Sequence, residues 1–239
     1  MLKKSKNLNK NQPLKLAASE LKKVKAVFFD IDDTFSTSML GGRNKIEAEA
    51  YSALWNLHQS GIKVIPVTGR PAGWVDMITR MWPVTAVVGE NGAFYSRMEY
   101  GNHAKLIKKY LETETVRKKN AAKLKKLYLE ILKKFPEAKT PSDQGYREFD
   151  LAIDYCEDVA HWSDARVQKL MEFARSRGAM AKLSSIHVNI WFGRYDKLTC
   201  VKKLMADLKI HSLESVVYIG DSPNDEPFFE ALPLTVGVK

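Results

Sequence analysis

Five short apolar runs along the chain are predicted to form strands. Each run is continuous instead of alternating with polar residues, which is typical of strands buried on both faces of a parallel sheet. The runs cover residues 24–29, 62–67, 84–88, 215–219 and 234–238. Because parallel strands need long crossover connections, the segments between these runs are expected to include helices.

Helical spacing of apolar residues appears between the strand runs, at residues 45–60, 71–81 and 197–208. Gly61 follows the first of these segments as a stop signal, and Pro71 suits the first turn of the second. Strands that alternate with helices of this length predict an α/β fold: a doubly wound, Rossmann-like parallel sheet with right-handed crossovers.

The alternation is interrupted by a region of different pattern between about residue 100 and residue 192. Helices are predicted there at 116–135 and 163–177, and alternating strands at 147–155 and 184–192. Ser163 is the expected N-cap of the second helix. We interpret this region as an α+β cap domain inserted into the sheet domain. The predicted organisation is a flexible basic leader at 1–22, a core at 23–98 and 193–239, and a cap at 99–192.

The chain is basic, because 38 lysine and arginine residues against 28 aspartate and glutamate residues give a formal net charge of +10. Much of the excess lies in the leader and in residues 105–134, whose apolar positions have helical spacing. We interpret both as solvated surfaces, so no nucleic-acid partner is expected. No apolar run approaches the roughly 20 residues that cross a bilayer, and no apolar secretory signal opens the chain. A cytoplasmic protein without a membrane partner is therefore expected.

Three carboxylates follow the first predicted strand within four positions: Asp30, Asp32 and Asp33. Like charges at this spacing repel one another unless a cation or hydrogen bonds hold them. Such a cluster at the end of a buried strand indicates a metal site or a proton-transfer role. Hard carboxylate oxygens with no histidine or cysteine beside them favour Mg²⁺ over Zn²⁺.

Further polar residues stand at strand ends or helix starts, namely Thr68, Gly69, Lys197, Asp221, Asn224 and Asp225. A hydroxyl group and free backbone N–H groups just before a helix form an arrangement that binds anions. In a doubly wound sheet the carboxyl ends of the strands line one crevice. These residues are therefore expected to converge on Asp30.

These residues, in this order, resemble the four motifs of the haloacid dehalogenase superfamily of phosphatases. The matching segments are Asp30-Ile-Asp32-Asp-Thr34, Thr68-Gly-Arg, Lys197 and Gly220-Asp221-Ser-Pro-Asn224-Asp225. A cap between the second and third motifs, preceded by Gly89-Glu-Asn-Gly-Ala-Phe94, is similar to the Cof-like or IIB branch. The resemblance implies a Mg²⁺-dependent phosphatase. Sugar phosphates, including trehalose, sucrose and mannosylglycerate phosphates, are common substrates in that branch.

The resemblance also implies a role for each matching residue. Asp30 is expected to attack phosphorus, and Asp32 to protonate the leaving oxygen and then to activate water. Phosphate binding is implied for Thr68, Gly69, Lys197 and Asn224. Mg²⁺ binding is implied for Asp30, for Asp32 through its backbone carbonyl, for Asp221 and for Asp225. Asp33 departs from the family pattern, which often has glycine at that position.

The cap is expected to determine specificity, because a lid over the crevice adds contacts that the core lacks. The candidate substrate contacts, which alternate along one predicted strand face, are Ser185, His187 and Asn189. An equally simple interpretation makes them exposed polar residues of a half-buried strand. Tyr146 and Arg147 are weaker candidates. Trp191 on the same face suits either stacking on a sugar or packing.

Two other functions stay open at this point. A phosphomutase or phosphotransferase would use the same aspartyl-phosphate and differ only in the group that attacks it. A noncatalytic, basic nucleic-acid-binding module would explain the charge but not the carboxylates at the strand ends. A signalling receiver domain is disfavoured, because in that fold the phosphorylated aspartate lies on a later strand than the acidic pair.

Overall fold

The structure is a computed structural model, and it describes residues 22–37 and 45–238. The predicted basic leader at 1–22 lies outside the described residues, except for residue 22. The strands are β1 Ala26–Phe29, β2 Lys63–Pro66, β3 Val87–Gly89, β4 Phe94–Glu99, β5 Lys105–Tyr110, β6 Leu151–Asp154, β7 Met180–Leu183, β8 His187–Trp191, β9 Val216–Gly220 and β10 Thr235–Gly237. The helices are α1 Ala48–Gln59, α2 Ala72–Met81, α3 Glu114–Lys134, α4 Asp164–Ser176, α5 Lys197–Asp207 and α6 Glu226–Ala231.

Four parallel strands form the main sheet, in the order β10-β9-β1-β2. A parallel bridge between Val67 and Val88 extends this order toward β3. Alternate residues of β1 lie in two different apolar clusters. Phe28 packs with Leu204 of α5 on one side, and Phe29 packs with Leu54 of α1 on the other. The predicted doubly wound α/β fold is therefore confirmed.

The strand register brings three chain segments to one edge of the main sheet. Phe29, the last residue of β1, pairs with Pro66 of β2 and with Ile219 of β9. The residues that follow these three positions share the carboxyl edge, and they include Asp30 and Thr68. Parallel pairing in this register therefore places the predicted motif residues close together.

In a second sheet, β3-β4-β5, each neighbouring pair of strands is antiparallel. The apolar run at 84–88 predicted β3, whereas the hairpin of β4 and β5 was not predicted. Residues 105–110 were expected to be helical, because the apolar positions of residues 105–134 have helical spacing. Instead they form β5 and pair with all six residues of β4. Pairing with a neighbouring strand outweighs the weak local pattern of this lysine-rich segment. The predicted boundary between residues 98 and 99 falls inside this hairpin, at the end of β4.

The third sheet, β6-β8-β7, carries α3 and α4 on its apolar face, and we call these five elements the small module. Leu127 and Ile131 of α3 pack there with Val188 and Ile190 of β8. The helix α3 begins two residues earlier than expected, after the N-cap Thr113. β7 was not predicted.

Several predicted elements of the small module are shorter than expected. The strand at 147–155 is reduced to Leu151–Asp154, because Phe149 packs against Phe94 and Tyr110 instead of the module's core. The strand at 184–192 begins at His187, because the Ser184 N–H donates to the His187 carbonyl and closes a turn. Ser185 therefore does not share a strand face with His187.

The remaining expectations on helices concern termini and membranes. Ser163 does occupy the N-cap position of α4, but its side chain accepts no capping hydrogen bond. Pro71 occupies the N-cap of α2 and lies just before its first turn. Among the helices described, none combines the length and the apolar character needed to cross a bilayer.

Candidate active site

The predicted site residues lie around a small cavity between the carboxyl edge of the main sheet and the small module. The cavity has a volume of about 10 Å³, close to the smallest space that holds one water molecule. Its lining residues are Asp30, Asp32, Gly69, Arg70, Arg147, Ser184, Ser185, Ile186, His187, Asn189, Ser222 and Asn224. Elements distant in sequence thus meet around one small cavity.

Asp30 is buried directly after β1 and faces the side chain of Lys197. The Lys197 Nζ lies 3.1 Å from Asp30 Oδ1, and it also donates to Asp225 Oδ1 at 2.8 Å and to Asn224 Oδ1 at 3.1 Å. Lys197 is 3% exposed. The Lys197 ammonium group, at the start of α5, therefore links Asp30 after β1 with Asn224 and Asp225 after β9. Asp30 is the nucleophile predicted from the sequence.

A second feature of the site is a group of three carboxylates: Asp30, Asp221 and Asp225. One oxygen from each lies within 4.8 Å of the others. Asp225 is tightly held, because its Oδ1 accepts from the Tyr218 hydroxyl at 2.6 Å and its Oδ2 accepts from two backbone N–H groups. Asp221 accepts from the Thr34 hydroxyl at 2.7 Å. Such a set of hard oxygen ligands suits a divalent cation.

The electrostatics of this group also favour a cation. Burial raises the pKa of Asp30 to about 8, with Lys197 acting in the opposite direction and Asp225 adding to the rise. Burial likewise raises the pKa of Asp221, which Thr34 partly opposes. Buried carboxylates that repel one another are expensive to ionise. A bound divalent cation would reverse that balance.

Asp32 lies at the cavity wall, and its carboxylate pairs with Arg70. Arg70 Nε contacts both Asp32 oxygens at 3.0 Å, and a terminal nitrogen lies 2.8 Å from Oδ1. Arg70 also lies 3.5 Å from Asp143 and 3.5 Å from Glu157. The side chain of Asp32 is thus oriented by an arginine, and it is not part of the group of three carboxylates.

Thr68 and Gly69 form the turn between β2 and α2. The Arg70 N–H donates to Thr68 Oγ1 at 2.9 Å, and the Thr68 N–H donates to the Val88 carbonyl. A Cβ on Gly69 would lie 3.1 Å from Asn91 Oδ1. A side chain at this position would therefore crowd the Asn91 side chain. Asp33 has φ +57, a left-handed backbone conformation that glycine adopts more readily than aspartate.

Ser185, His187 and Asn189 of the small module all line the cavity. His187 Nε2 lies 2.8 Å from Glu157 Oε2, and Asn189 Nδ2 donates to Asp150 at 3.3 Å. His187 and Asn189 are each 2% exposed, so they are not surface residues of a half-buried strand. Trp191 is buried and stacks on Tyr195, which leaves it a packing role.

Glu90 and Asn91 are site-forming residues to which sequence analysis assigned no role. The Glu90 carboxylate accepts N–H groups from Ala72 and from residues 148–150, at 2.6–3.1 Å. Burial and the nearby Asp150 raise its pKa to about 8. Positive φ at both residues, +41 and +55, was not visible in the sequence. The resemblance of residues 89–94 to the Cof-like or IIB branch is the one signal in the sequence that points to these two residues.

The family comparison covers the part of the chain that contains the first two motifs. A sequence profile of the haloacid dehalogenase-like hydrolases matches residues 27–133. No curated protein matches the sequence significantly. The profile covers β1 and the motif residues up to α3, and the later motifs follow in the expected order.

Solved structures share the architecture at low sequence identity. Protein 0175 of Thermoplasma acidophilum has a TM-score of 0.65 and 20% identity, over 88% of this chain and 82% of that chain. The sucrose-phosphatase of Synechocystis sp. PCC6803, in complex with sucrose and phosphate, has a TM-score of 0.58 and 14% identity, over 89% and 82%. The IMP-nucleotidase of Plasmodium falciparum has a TM-score of 0.62 and 14% identity, over 92% and 66%. The chain therefore shares its fold with these structures, and residues 27–133 resemble the haloacid dehalogenase-like hydrolases.

Proposed function

We propose that the protein is a Mg²⁺-dependent phosphomonoesterase that forms an aspartyl-phosphate on Asp30. The observation that carries this proposal is the contact of one buried ammonium group, on Lys197, with Asp30, Asn224 and Asp225. These residues come from the ends of β1 and β9 and the start of α5. A merely structural ion pair would not need a third carboxylate, Asp221, beside it.

The three carboxylates and the backbone carbonyl of Asp32 would hold the Mg²⁺. Asp30 and Asp221 are the first candidates, because both oxygens of Asp225 already accept hydrogen bonds. The bound ion would let an anionic nucleophile approach an anionic phosphate and would offset charge on the phosphoryl oxygens. Lys197, Asn224, the Thr68 hydroxyl and the Gly69 N–H would bind those oxygens from the other side.

In the first half of the reaction, an oxygen of Asp30 attacks phosphorus and the bond to the leaving oxygen breaks. Asp32 donates the proton that the leaving oxygen takes up. In the second half, Asp32 accepts a proton from water, the water oxygen attacks phosphorus and the bond to Asp30 breaks. One residue thus serves as acid and then as base, which divides a difficult displacement into two easier steps.

Arg70 has a positioning role in this scheme. Its three contacts hold the Asp32 carboxylate at the cavity wall. For Asp32 to reach a leaving oxygen, this pair has to loosen, and Asp143 and Glu157 lie 3.5 Å from the same guanidinium. Arg70 can therefore shift its contacts to these two carboxylates without becoming an unpaired buried charge.

We propose a sugar phosphate or a related small metabolite as the substrate. Apart from Ile186, the part of the small module that faces Asp30 is polar, with Ser184, Ser185, His187 and Asn189. In the described part of the cavity wall no phenylalanine, tyrosine or tryptophan side chain is available to stack on a nucleobase. Hydroxyl groups of a sugar suit such a wall, and the Synechocystis relative binds sucrose and phosphate.

We further propose that the small module, within residues 99–192, acts as the cap. The cavity of about 10 Å³ holds at most one water molecule and no phosphate ester. Substrate can therefore enter only when the module moves away from the main sheet. Closure after binding would exclude bulk water from Asp30.

The test of this function is phosphate release from a small aryl phosphate and a panel of sugar phosphates, with Mg²⁺ and with EDTA. Asp30→Asn and Asp32→Asn should each abolish release, while Asp76→Asn, on the exposed face of α2, should not. Full activity in Asp30→Asn or Asp32→Asn would refute the mechanism. Salt-sensitive nucleic-acid binding that is unaffected by Asp30→Asn would instead favour the binding-module alternative.

The proposed cap role has its own test. His187→Ala should change the preference among natural phosphomonoesters more than it changes hydrolysis of the aryl phosphate. The matched control is His161→Ala, because His161 lies in the same module and does not line the cavity. Equal losses on both kinds of substrate would count against a specificity role for His187.

A further inference from the structure

Arg147 occupies an unusual position at the wall of the cavity. Its side chain is 1% exposed. One terminal nitrogen donates to the Gly69 carbonyl and to Asp150 Oδ1, both at 2.8 Å. Its Nε, in contrast, donates to no acceptor among the described residues. A buried donor without a partner is costly, so this N–H is available to an acceptor on a molecule bound in the cavity.

The residues around Arg147 hold the guanidinium in place. Asp150, its partner, also accepts from Asn91 at 3.1 Å and from Asn189 at 3.3 Å. Glu90 binds the N–H groups of the three residues that follow Arg147. This segment is thus fixed to the main sheet from one side and to β8 from the other. A group held by its surroundings loses little entropy when it binds a ligand.

The charges at the cavity show what kind of ligand fits. Each basic side chain that the structure describes there already faces a carboxylate. Arg70 pairs with Asp32, His187 lies beside Glu157, and Arg147 pairs with Asp150. Lys197, behind Asp30, pairs with Asp30 and Asp225. Among the described residues at the cavity, no basic side chain is left without a carboxylate partner, so an acidic leaving group would find no free cationic side chain to bind its charge.

We infer that Arg147 is a specificity-determining residue that donates a hydrogen bond to a hydroxyl oxygen of an uncharged leaving group. This inference rests on the proposed phosphatase function and narrows its substrate class. Asp150 neutralises the guanidinium, so that Arg147 selects for an oxygen acceptor and not for negative charge. The phosphoryl group already has Lys197 and Asn224, which leaves Arg147 for the rest of the substrate. A phosphorylated, otherwise neutral polyol or sugar fits, and a phosphorylated acid or a bisphosphate does not.

The experiment compares kcat/KM for a hexose 6-phosphate, an aryl phosphate and 3-phosphoglycerate. Arg147→Gln should lower the value for the hexose phosphate about tenfold more than that for the aryl phosphate, as expected for one hydrogen bond to a charged donor. Asp150→Asn removes the neutralising charge and should raise the preference for 3-phosphoglycerate over the hexose phosphate by about tenfold or more. Arg177→Gln, at an exposed arginine paired with Glu130, is the matched control.

A second measurement does not depend on turnover. Binding of the hexose phosphate is measured by calorimetry in Asp30→Asn, with and without Arg147→Gln, and the double variant should bind about tenfold more weakly. Unchanged binding would overturn the inference, whether or not the protein hydrolyses phosphate esters. Absence of hydrolysis with weaker binding in the double variant would refute only the proposed function. Equal losses of kcat/KM on hexose and aryl phosphate overturn the inference too. So does a wild-type preference for 3-phosphoglycerate that Arg147→Gln removes. Unfolding in urea verifies that each variant is folded.

Discussion

Gly92 is the residue whose substitution gives the sharpest stability prediction. It lies in the turn after β3, with φ +98, against the start of α5. A Cβ built there would lie 2.1 Å from the Asp196 carbonyl oxygen and 2.9 Å from the Lys197 N. Since nonbonded heavy atoms normally approach to about 3.5 Å, Gly92→Ala requires a shift of about 1 Å in one of the two segments.

The energetic cost has two parts. Placing alanine in a backbone conformation with positive φ costs about 1–2 kcal/mol. Overpacking against backbone that cannot rotate away adds about 1–3 kcal/mol. Gly92→Ala should therefore lower the free energy of unfolding by about 2–5 kcal/mol. Gly178→Ala is the matched control, because Gly178 has φ +79 and no atom within 4 Å of the added Cβ. Only the first part of the cost applies to it.

Gly92→Ala should also lower the activity. Lys197 is the first residue of α5 and follows Asp196 directly, so a shift of Asp196 moves the ammonium group away from Asp30. A misplacement of about 1 Å at a reacting centre costs about 100-fold in rate. We therefore expect kcat on an aryl phosphate to fall about 100-fold in Gly92→Ala and to stay within about twofold in Gly178→Ala.

The assays are urea unfolding and steady-state kinetics at a temperature where both variants are folded. If the two substitutions destabilise equally, the close contact between Gly92 and Asp196 does not exist in solution. If Gly92→Ala is much less stable but keeps full kcat, the position of Lys197 is not coupled to this turn. Either result would refute the reasoning.

The remaining predictions concern the buried charges. Burial raises the pKa of Glu90 to about 8 in the folded protein, from 4.5 normally, so its contribution to stability is complete below about pH 4.5 and is lost as pH rises through 8. Glu90→Gln should flatten this decline in the free energy of unfolding, measured in urea, and a parallel decline in both proteins would contradict it. Lys197→Met leaves Asp30 and Asp225 without their cation and should lower the free energy of unfolding by about 3–5 kcal/mol. Mg²⁺ should restore part of this loss, and a free energy of unfolding equal to that of the wild type would rule out the ion pairs. Mg²⁺ should raise the melting temperature of the wild type by mass action and that of Asp221→Asn much less, and an equal rise in both would exclude Asp221 as a ligand.

Much of the core and its chemistry could be predicted from the sequence, because the relevant signals are local. Continuous apolar runs predicted β1, β2 and β9, and helical spacing predicted the helices between them. Parallel topology then requires that the carboxyl ends of the strands meet. For this reason Asp30, Lys197 and Asp225, which lie almost 200 residues apart, could be predicted to converge, and they lie in contact.

Elements whose identity depends on a distant partner could not be predicted. Residues 105–110 form a strand only because β4 lies beside them, and the same lysine-rich residues alone suggest a solvated helix. Ser185 lies in a turn because Ser184 bonds to His187. In both cases a tertiary contact outweighs a weak local preference.

The sequence alone determined which strand ends carry the polar residues of the site. This follows from the apolar runs that predict the strands and from the positions of the acidic residues after them. Only the tertiary structure decided which charges are buried and with what partners. The burial of Glu90, Arg70 and Arg147 is not visible in the sequence, yet each packs against a segment about 40 to 80 residues away. The cost of burying a charge depends on the groups packed around it. Those groups come from other segments, and no local pattern contains them.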